Sequence, residues 1–471
     1  MYQMRDRCQV SYHVLSIALN FLSRFKSDTI GCRIRDHLKS KAHQAATKVT
    51  TVVQLLPNVV EKIVGIAERN DHFRDKLLEA WIAVDIPLDK LLNPKLRAFL
   101  QWLISSEKRD VKVPNPRILR RNTMKLFGRK REEIRKRIRG KDVYLLIDET
   151  PDAESRNVVN VMVGILDGNV TRPWLVNISF PKIVDNLAIR KIVVETCSIL
   201  WRGKNVFPHL KVIISDQAAY MLLAVRKLKE NDVSFPHLKH VTCVIHAANV
   251  VCDSIRKQFR LVNLFLSKQK KFFKSSGKKK RDFKEKTGLK LPPFPILVRW
   301  GSWLKCVKYH LNGSNFAKIK KYFLETGEEN GAPENQVLKD LQKILSGEKL
   351  ENDLLELSQY SYLPALMTTL EKRSLSLMEQ VQLVAQIRSI ISGSVHEDVL
   401  NIPLAKNPDY LLITGCAQPL EERINLKFCP LVNSDIERSF SIYRSLLSDH
   451  RRSFTTKNLK HMMIIKCNSD L

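Results

Sequence analysis

Apolar residues recur along this chain with two different periods. From Val52 to about Arg139 they return every three or four positions: Leu55, Val59, Ile63 and Ile66, then Phe73, Leu77, Leu78 and Trp81. That spacing predicts amphipathic helices. Ile86-Pro87-Leu88 and Asn93-Pro94 interrupt them, and Leu96, Phe99, Leu100 and Leu103 resume the pattern. At Asp142 the period changes. Asp142-Val143-Tyr144-Leu145-Leu146-Ile147-Asp148-Glu149 holds five consecutive apolar residues bounded by charge, which predicts a fully buried strand. Such a strand delivers Asp148 to the rim of a sheet, where a side chain can meet a ligand. Val158 to Leu166, closed by Asp167-Gly168, and Trp174 to Phe180 predict two further strands, hairpin-linked and antiparallel.

Ala188 to Leu200 predicts a helix with Ile192, Val193, Cys197 and Leu200 on one face. Lys211-Val212-Ile213-Ile214-Ser215-Asp216 then repeats the opening theme, a buried strand ending in Asp. Helix Ala218–Lys229, strand Val241–Ile245 and helix His246–Lys257 follow. Three strands, a helix, a strand, a helix and a strand is the order of an RNase H-like α/β core. Its first and fourth strands are neighbours, which would bring Asp148 and Asp216 together. Residues 267–290 predict a Lys-rich loop in which Phe272, Phe273 and Phe283, set among cations, suit a single-stranded or distorted nucleic acid. From about Leu304 to Leu400 the pattern is helical again, with Trp303 before it expected in the core. The final stretch, Val432 to Arg444, predicts a helix with Ser434 as N-cap, Glu437 at the capping-box position and an apolar stripe of Ile436, Phe440, Tyr443 and Leu447. Taken locally, the box accounts for Glu437.

Charge narrows the choice of partner. In 471 residues, 79 Lys and Arg face 48 Asp and Glu, a net +31. An excess that large points to a polyanion, with nucleic acid foremost. The tract from Arg117 to Arg139, which includes Arg121 and Arg131, has eleven cations interrupted only by Glu132 and Glu133 and reads as a phosphate-tracking surface. No apolar run reaches the length of a bilayer span, and the N-terminal residues lack the signal-peptide pattern, so no membrane partner is expected. Nine scattered cysteines favour a reducing compartment and free thiols, and Lys278-Lys279-Lys280-Arg281 could serve as a nuclear import patch. His37 and His43, separated by five residues, fit the second half of a zinc finger. The paired cysteines it needs are missing, since Cys8 and Cys32 stand far apart. A finger remnant without bound zinc is the reading.

Several stretches together carry a likeness to a known family. They run from Phe73 through Trp81, Ile86-Pro87-Leu88 and Asn93-Pro94-Lys95-Leu96-Arg97 to Ile147-Asp148-Glu149-Thr150-Pro151-Asp152. Ser215-Asp216-Gln217-Ala218-Ala219-Tyr220-Met221, Cys243-Val244-Ile245-His246 and Arg299-Trp300-Gly301-Ser302-Trp303 come next, then the Glu437 segment and Leu447-Ser448-Asp449-His450-Arg451-Arg452. In this order they resemble the hAT superfamily of DNA transposases and their host-adopted derivatives, within it the group related to the CGG triplet repeat-binding protein. The resemblance implies an α/β fold: an RNase H-like core interrupted by a large all-helical insertion, with a helical N-terminal region and a helical C-terminal dimerisation segment. It implies a catalytic and metal-binding triad of Asp148, Asp216 and Glu437 served by Mg²⁺ or Mn²⁺. It places Cys243, His246, Arg299 and Trp300 near the cleaved DNA strand. A nuclear homodimer or larger homo-oligomer acting on DNA is what the family implies. The alternative is a non-catalytic domesticated copy regulating chromatin or transcription. The expected division is 1–50 finger remnant, 51–140 helical basic DNA-binding region, 141–262 first part of the core, 263–428 basic loop and helical insertion, and 429–471 glutamate helix and dimerisation segment.

Overall fold

The computed structural model describes residues 70–106, 111–230, 233–274, 276–295, 301–327, 335–415, 419–447 and 454–471. Contacts divide the chain into two compact units, residues 1–125 and 126–471. In the first, residues 70–83 are helical and bury Leu77, Leu78 and Ile82. A 3-10 turn, Leu88–Leu92, leads to helix α1 (Pro94–Ser106). Asn93 caps α1: its Oδ1 accepts from the backbone N–H groups of Lys95 at 3.0 Å and Leu96 at 3.1 Å, with Pro94 at the first helical position. Arg97 donates to the carbonyls of Val113 and Pro114, and Gln101 bonds Val111 and Val113, which holds the following segment along α1.

Helix α2 (Pro116–Ile138) runs past the boundary between the units. Its end at Ile138 lies close to the expected residue 140, and Ile134 and Ile138 are buried in the core of the second unit. The sheet follows: β1 (Asp142–Pro151), β2 (Asn157–Leu166), β3 (Trp174–Ser179), β4 (Leu210–Ser215) and β5 (Lys239–Thr242). Its order is β3-β2-β1-β4-β5, antiparallel from β1 to β3 and parallel across β1, β4 and β5. The chain is therefore mixed α/β, with the first and fourth strands adjacent as expected.

Alternation along β1 sorts two cores. Val143, Leu145 and Ile147 face α3 (Asn186–Leu200) and α4 (Ala219–Lys229). Tyr144 and Leu146 face α5 (Val244–Gln258) and α17 (Ser434–Leu446). The expected strand Val241–Ile245 ends at Thr242 instead. Cys243 N–H still donates to the Ser215 carbonyl at 2.8 Å, but Val244 N–H turns to Leu431 and opens α5. Val244 and Ile245 are buried helical residues, and an apolar run alone cannot tell these two fates apart.

Helices α6 (Arg260–Lys274), α7 (Gly277–Thr287), α8 (Gly301–Leu311), α9 (Asn315–Glu325), α10 (Asn335–Leu345), α11 (Lys349–Leu357), α12 (Leu363–Leu370), α13 (Leu377–Ile391) and α14 (Glu397–Ala405) follow α5, helical where the apolar period predicted from about Leu304 to Leu400. Trp303, 1% exposed, is core as anticipated. Residues 267–290 are not a loop. They are the end of α6 and all of α7, and Phe272, Phe273 and Phe283 turn inward to meet Tyr322 and Phe323 edge-on at about 5 Å between centroids. Burial of three aromatic rings outweighs the solubility of the lysines around them. The aromatics are therefore withdrawn from any nucleic acid.

Short helices α15 (Tyr410–Thr414) and α16 (Leu420–Asn425) return the chain to the sheet, where α17 and α18 (Thr456–Cys467) close it. The side-chain amide of Asn468 pairs with both backbone groups of Leu175, at 3.0 and 2.8 Å, and so caps edge strand β3. The six cysteines among the described residues are free and buried. No helix among them is long and apolar enough to cross a membrane.

Candidate functional site

Asp148 and Asp216 come near each other where β4 stops alongside β1; β1 does not end at Asp148 as expected but runs on to Pro151, because its pairing with β2 continues after β4 has ended. Register pairs Leu146 with Ile214, so two residues on, Asp148 and Asp216 stand side by side on the face that carries α5 and α17. Glu149, one position further, falls on the opposite face, where Tyr220 Oη donates to its carboxylate at 2.6 Å. Only one carboxylate of that pair belongs to the site. Asp216 accepts from Ala218 N–H at 3.3 Å, an Asx-type turn that leads the chain into α4.

Helix α17 reaches this edge from more than 200 residues away in sequence and is tied down in three places. Asn433 Nδ2 donates to Asp148 Oδ2 at 3.2 Å. Asn160, the direct cross-strand partner of Asp148, donates through Nδ2 to Ser439 Oγ at 2.8 Å. Tyr443 Oη donates to Asp152 Oδ2 at 2.9 Å, and Arg156 holds the same oxygen at 2.7 Å. Asn433 N–H also donates to Cys243 Sγ at 3.3 Å, which joins the start of α17 to the start of α5. The expected capping box is absent. Asn433, not Ser434, is the cap residue, and α17 has no side-chain cap bond, because the Asn433 amide is engaged with Asp148. With the box gone, Glu437 lies in the first turn of α17, near enough to Asp148 for its charge to raise that carboxyl.

The electrostatics record that convergence. Asp148, 7% exposed, has its carboxyl pushed up to about 7, first by burial and then by the charges of Asp216 and Glu437, while His246 and the Glu149 N–H bond oppose the rise. Burial also raises Asp216, again opposed by the Ala218 N–H and His246. His246 sits in the first turn of α5, and its Nδ1 is buried without a partner. The Cys243 thiol is pushed up to about 12 by burial, so it is a neutral packing group that accepts from Asn433.

Asp148, Asp216 and Glu437 offer hard carboxylate oxygens of the kind that suit Mg²⁺ or Mn²⁺. Around Asp148, Asn433 Oδ1 and Asn160 Oδ1 are buried acceptors lacking any donor. A raised carboxyl beside orphaned oxygens is a set that a hard cation and its waters would satisfy. As the side chains stand, no group of three or more His, Cys, Asp or Glu among the described residues is gathered closely enough to hold a metal ion.

Other expected site residues fall elsewhere. Arg121 is exposed on α2 in the first unit. Arg131 is turned inward, donating to the Val176 carbonyl at 3.1 Å and lying 4.4 Å over the Phe127 ring, with burial lowering its pKa to about 10. It braces β3 rather than facing solvent. His37, His43, Arg299 and Trp300 lie outside the described residues. Sequence reasoning missed Asn433, Asn160 and the Tyr443–Asp152 pair. Asn160 was discoverable as a polar residue inside an apolar strand, directly opposite Asp148 in any hairpin of that length.

A cavity of about 640 Å³ lies at the opposite end of the strands, lined by Asp142, Lys211, Lys229, Lys239, Asp409 and Glu422 among others. Its cations are paired with acids, as Lys229 is with Asp409 at 2.6 Å, and it is remote from the carboxylates. No protein-family model matches this chain, and no curated protein matches it.

Proposed function

We propose that the protein is a hAT-type DNA transposase or a nuclear protein derived from one, built on an RNase H-like core, that cleaves and transfers DNA strands at Asp148, Asp216 and Glu437. The observation that carries this reading is the buried Asp148 carboxyl on β1, raised in part by the charges of Asp216 beyond β4 and Glu437 on α17, residues that a long helical stretch separates in sequence. A sheet of this order with a returning glutamate helix is the arrangement that the resemblance implies.

In this reading the three carboxylates would hold Mg²⁺ or Mn²⁺, which supplies activation of the attacking hydroxyl and stabilisation of the leaving oxygen. The chain's own part is positioning. Asn433 orients the Asp148 carboxylate, and Asn160 and Tyr443 hold α17, which carries Glu437. His246, at the start of α5, lies close enough to lower both aspartates. Action as a homodimer or larger assembly, and residence in the nucleus, belong to the same reading. Solution mass and the distribution of a fluorescent fusion lacking the Lys278–Arg281 cations test them.

The decisive experiment is nicking of supercoiled DNA by the purified chain with Mg²⁺ or Mn²⁺. Activity in the parent and none in Asp148→Ala or Glu437→Gln supports the triad; equal activity in all three removes it. A second reading, a domesticated copy that binds DNA without cutting, is favoured by the spread of the carboxylates beyond shared metal-ligating distance. DNA binding without nicking in either metal would select it.

A further inference from the structure

The end of α6 and all of α7 form an exposed cationic stripe that local structure does not account for. Between residues 271 and 290 there are nine Lys and Arg against two acids, Asp282 and Glu285. The helices divide these cations by direction. Lys279 lies 4.6 Å over the Phe272 ring, and Lys286 pairs with Asp282 at 2.9 Å. Lys271, Lys274, Arg281 and Lys284 point away from the aromatic cluster, exposed and without an acidic partner among the described residues. Cations at the last turn of α6 suit its negative end. The first turn of α7 is the reverse case: it has Lys278, Lys279 and Lys280, no acid, and the positive end of the helix dipole.

We infer that this stripe is a docking face for the sugar-phosphate backbone of double-stranded nucleic acid. Stacking on unpaired bases needs exposed aromatics, and Phe272, Phe273 and Phe283 are at most 3% exposed. A membrane surface needs apolar anchors on the charged face, and residues 267–295 expose no large hydrophobic side chain among those described. What remains is charge on a rigid helical pair, the chemistry of backbone contact. The inference deepens the proposed function by naming a face that holds the duplex, and rests on that reading for the choice of nucleic acid over other polyanions.

The test compares two full-length triple variants of equal net charge, Lys274→Glu/Arg281→Glu/Lys284→Glu and a control, Lys182→Glu/Lys204→Glu/Lys372→Glu, whose sites are equally exposed. Binding of a short duplex of arbitrary sequence is measured in chelator across a salt series. The stripe variant should lose at least about tenfold in affinity at moderate salt, with a slope of log K against log salt shallower by roughly 2 to 3. The control should lose little. Should the reversed charges prevent folding, the triple Gln version gives the same ordering with a smaller change. Equal losses in both variants, unchanged duplex binding in the stripe variant, or a loss seen only on phosphatidylserine vesicles or oligo-dT would overturn the inference. Because the assay excludes metal, its failure leaves the carboxylate reading standing, and inactive carboxylates leave this one.

Discussion

Replacing Asp148 by Asn removes a buried charge while keeping the side chain's shape. In the fold this carboxyl is pushed up from its ordinary 3.8 to about 7. Between those values the folded protein keeps the proton and the unfolded chain has lost it, so the unfolded chain binds fewer protons and stability falls as pH rises from about 4 to 7. The full loss is at most about 4 kcal/mol. A neutral amide at this position would carry no such penalty. It would face Asn433 Nδ2, and a flip of the Asn433 amide, whose Oδ1 has no partner, restores the bond. Urea denaturation in chelator should therefore show Asp148→Asn close to the parent near pH 3.5, more stable by about 1.5 kcal/mol at pH 5 and by up to about 4 kcal/mol at pH 8. Millimolar Mg²⁺ at pH 8 should then raise the parent, by about 2.7 kcal/mol at a hundred times its Kd, and leave the variant unchanged. Parallel pH profiles for parent and variant, or equal stabilisation of both by Mg²⁺, would refute the account of Asp148 as a strained cation ligand.

Further outcomes follow from other parts of the fold. Tyr443→Phe leaves Asp152 still held by Arg156, so it should lower stability by only about 1.5–3 kcal/mol, the range for a bond to a charged group, and reduce nicking through a displaced α17; full activity at reduced stability would separate the anchor from the chemistry. Phe273→Ala should cost about 3–5 kcal/mol in melts with duplex affinity per folded molecule unchanged, whereas an intact melt with lost DNA binding would return the ring to a stacking role. A Cβ at Gly164 would collide with the ring of its cross-strand partner Tyr144, so Gly164→Ala should destabilise by roughly 1–3 kcal/mol, and Tyr144→Leu in the same chain should recover part of it. His240, buried and hydrogen-bonded through Nε2 to Ser215 Oγ at 2.9 Å, has its pKa lowered by burial to about 4. The unfolded chain takes up that proton first, so stability is lost as pH falls from about 6.5 to 4, by up to about 3 kcal/mol; His240→Gln should flatten that limb of the profile.

The elements themselves were legible in the order of residues. Period two against period 3.6, with Asp-Gly and Pro punctuation, located β1 to β4 and the insertion to within a few residues, because burial on one face imposes its period on the sequence. Asp148 and Asp216 were legible as a pair, since each closes an apolar run of matching length, although only Asp216 follows the end of its strand while Asp148 lies within β1. Direction was not legible. The same lysine-and-phenylalanine stretch reads as a nucleic-acid loop or as an amphipathic helix pair until Tyr322 and Phe323 are seen to receive the rings. Arg131 could not be told from Arg121 along the chain, yet one lies over Phe127 against β3 and the other is exposed. Glu437 looked like a cap because Ser434 stood three residues before it, and only the bond from Asn433 to Asp148, spanning 285 residues, shows what the start of that helix is held against. Sequence alone determined the order of most strands and helices and the acids that close apolar runs, because those are properties of neighbours in the chain. Which side chains share a site was decided by the tertiary structure, because that depends on contacts whose partners no local pattern contains.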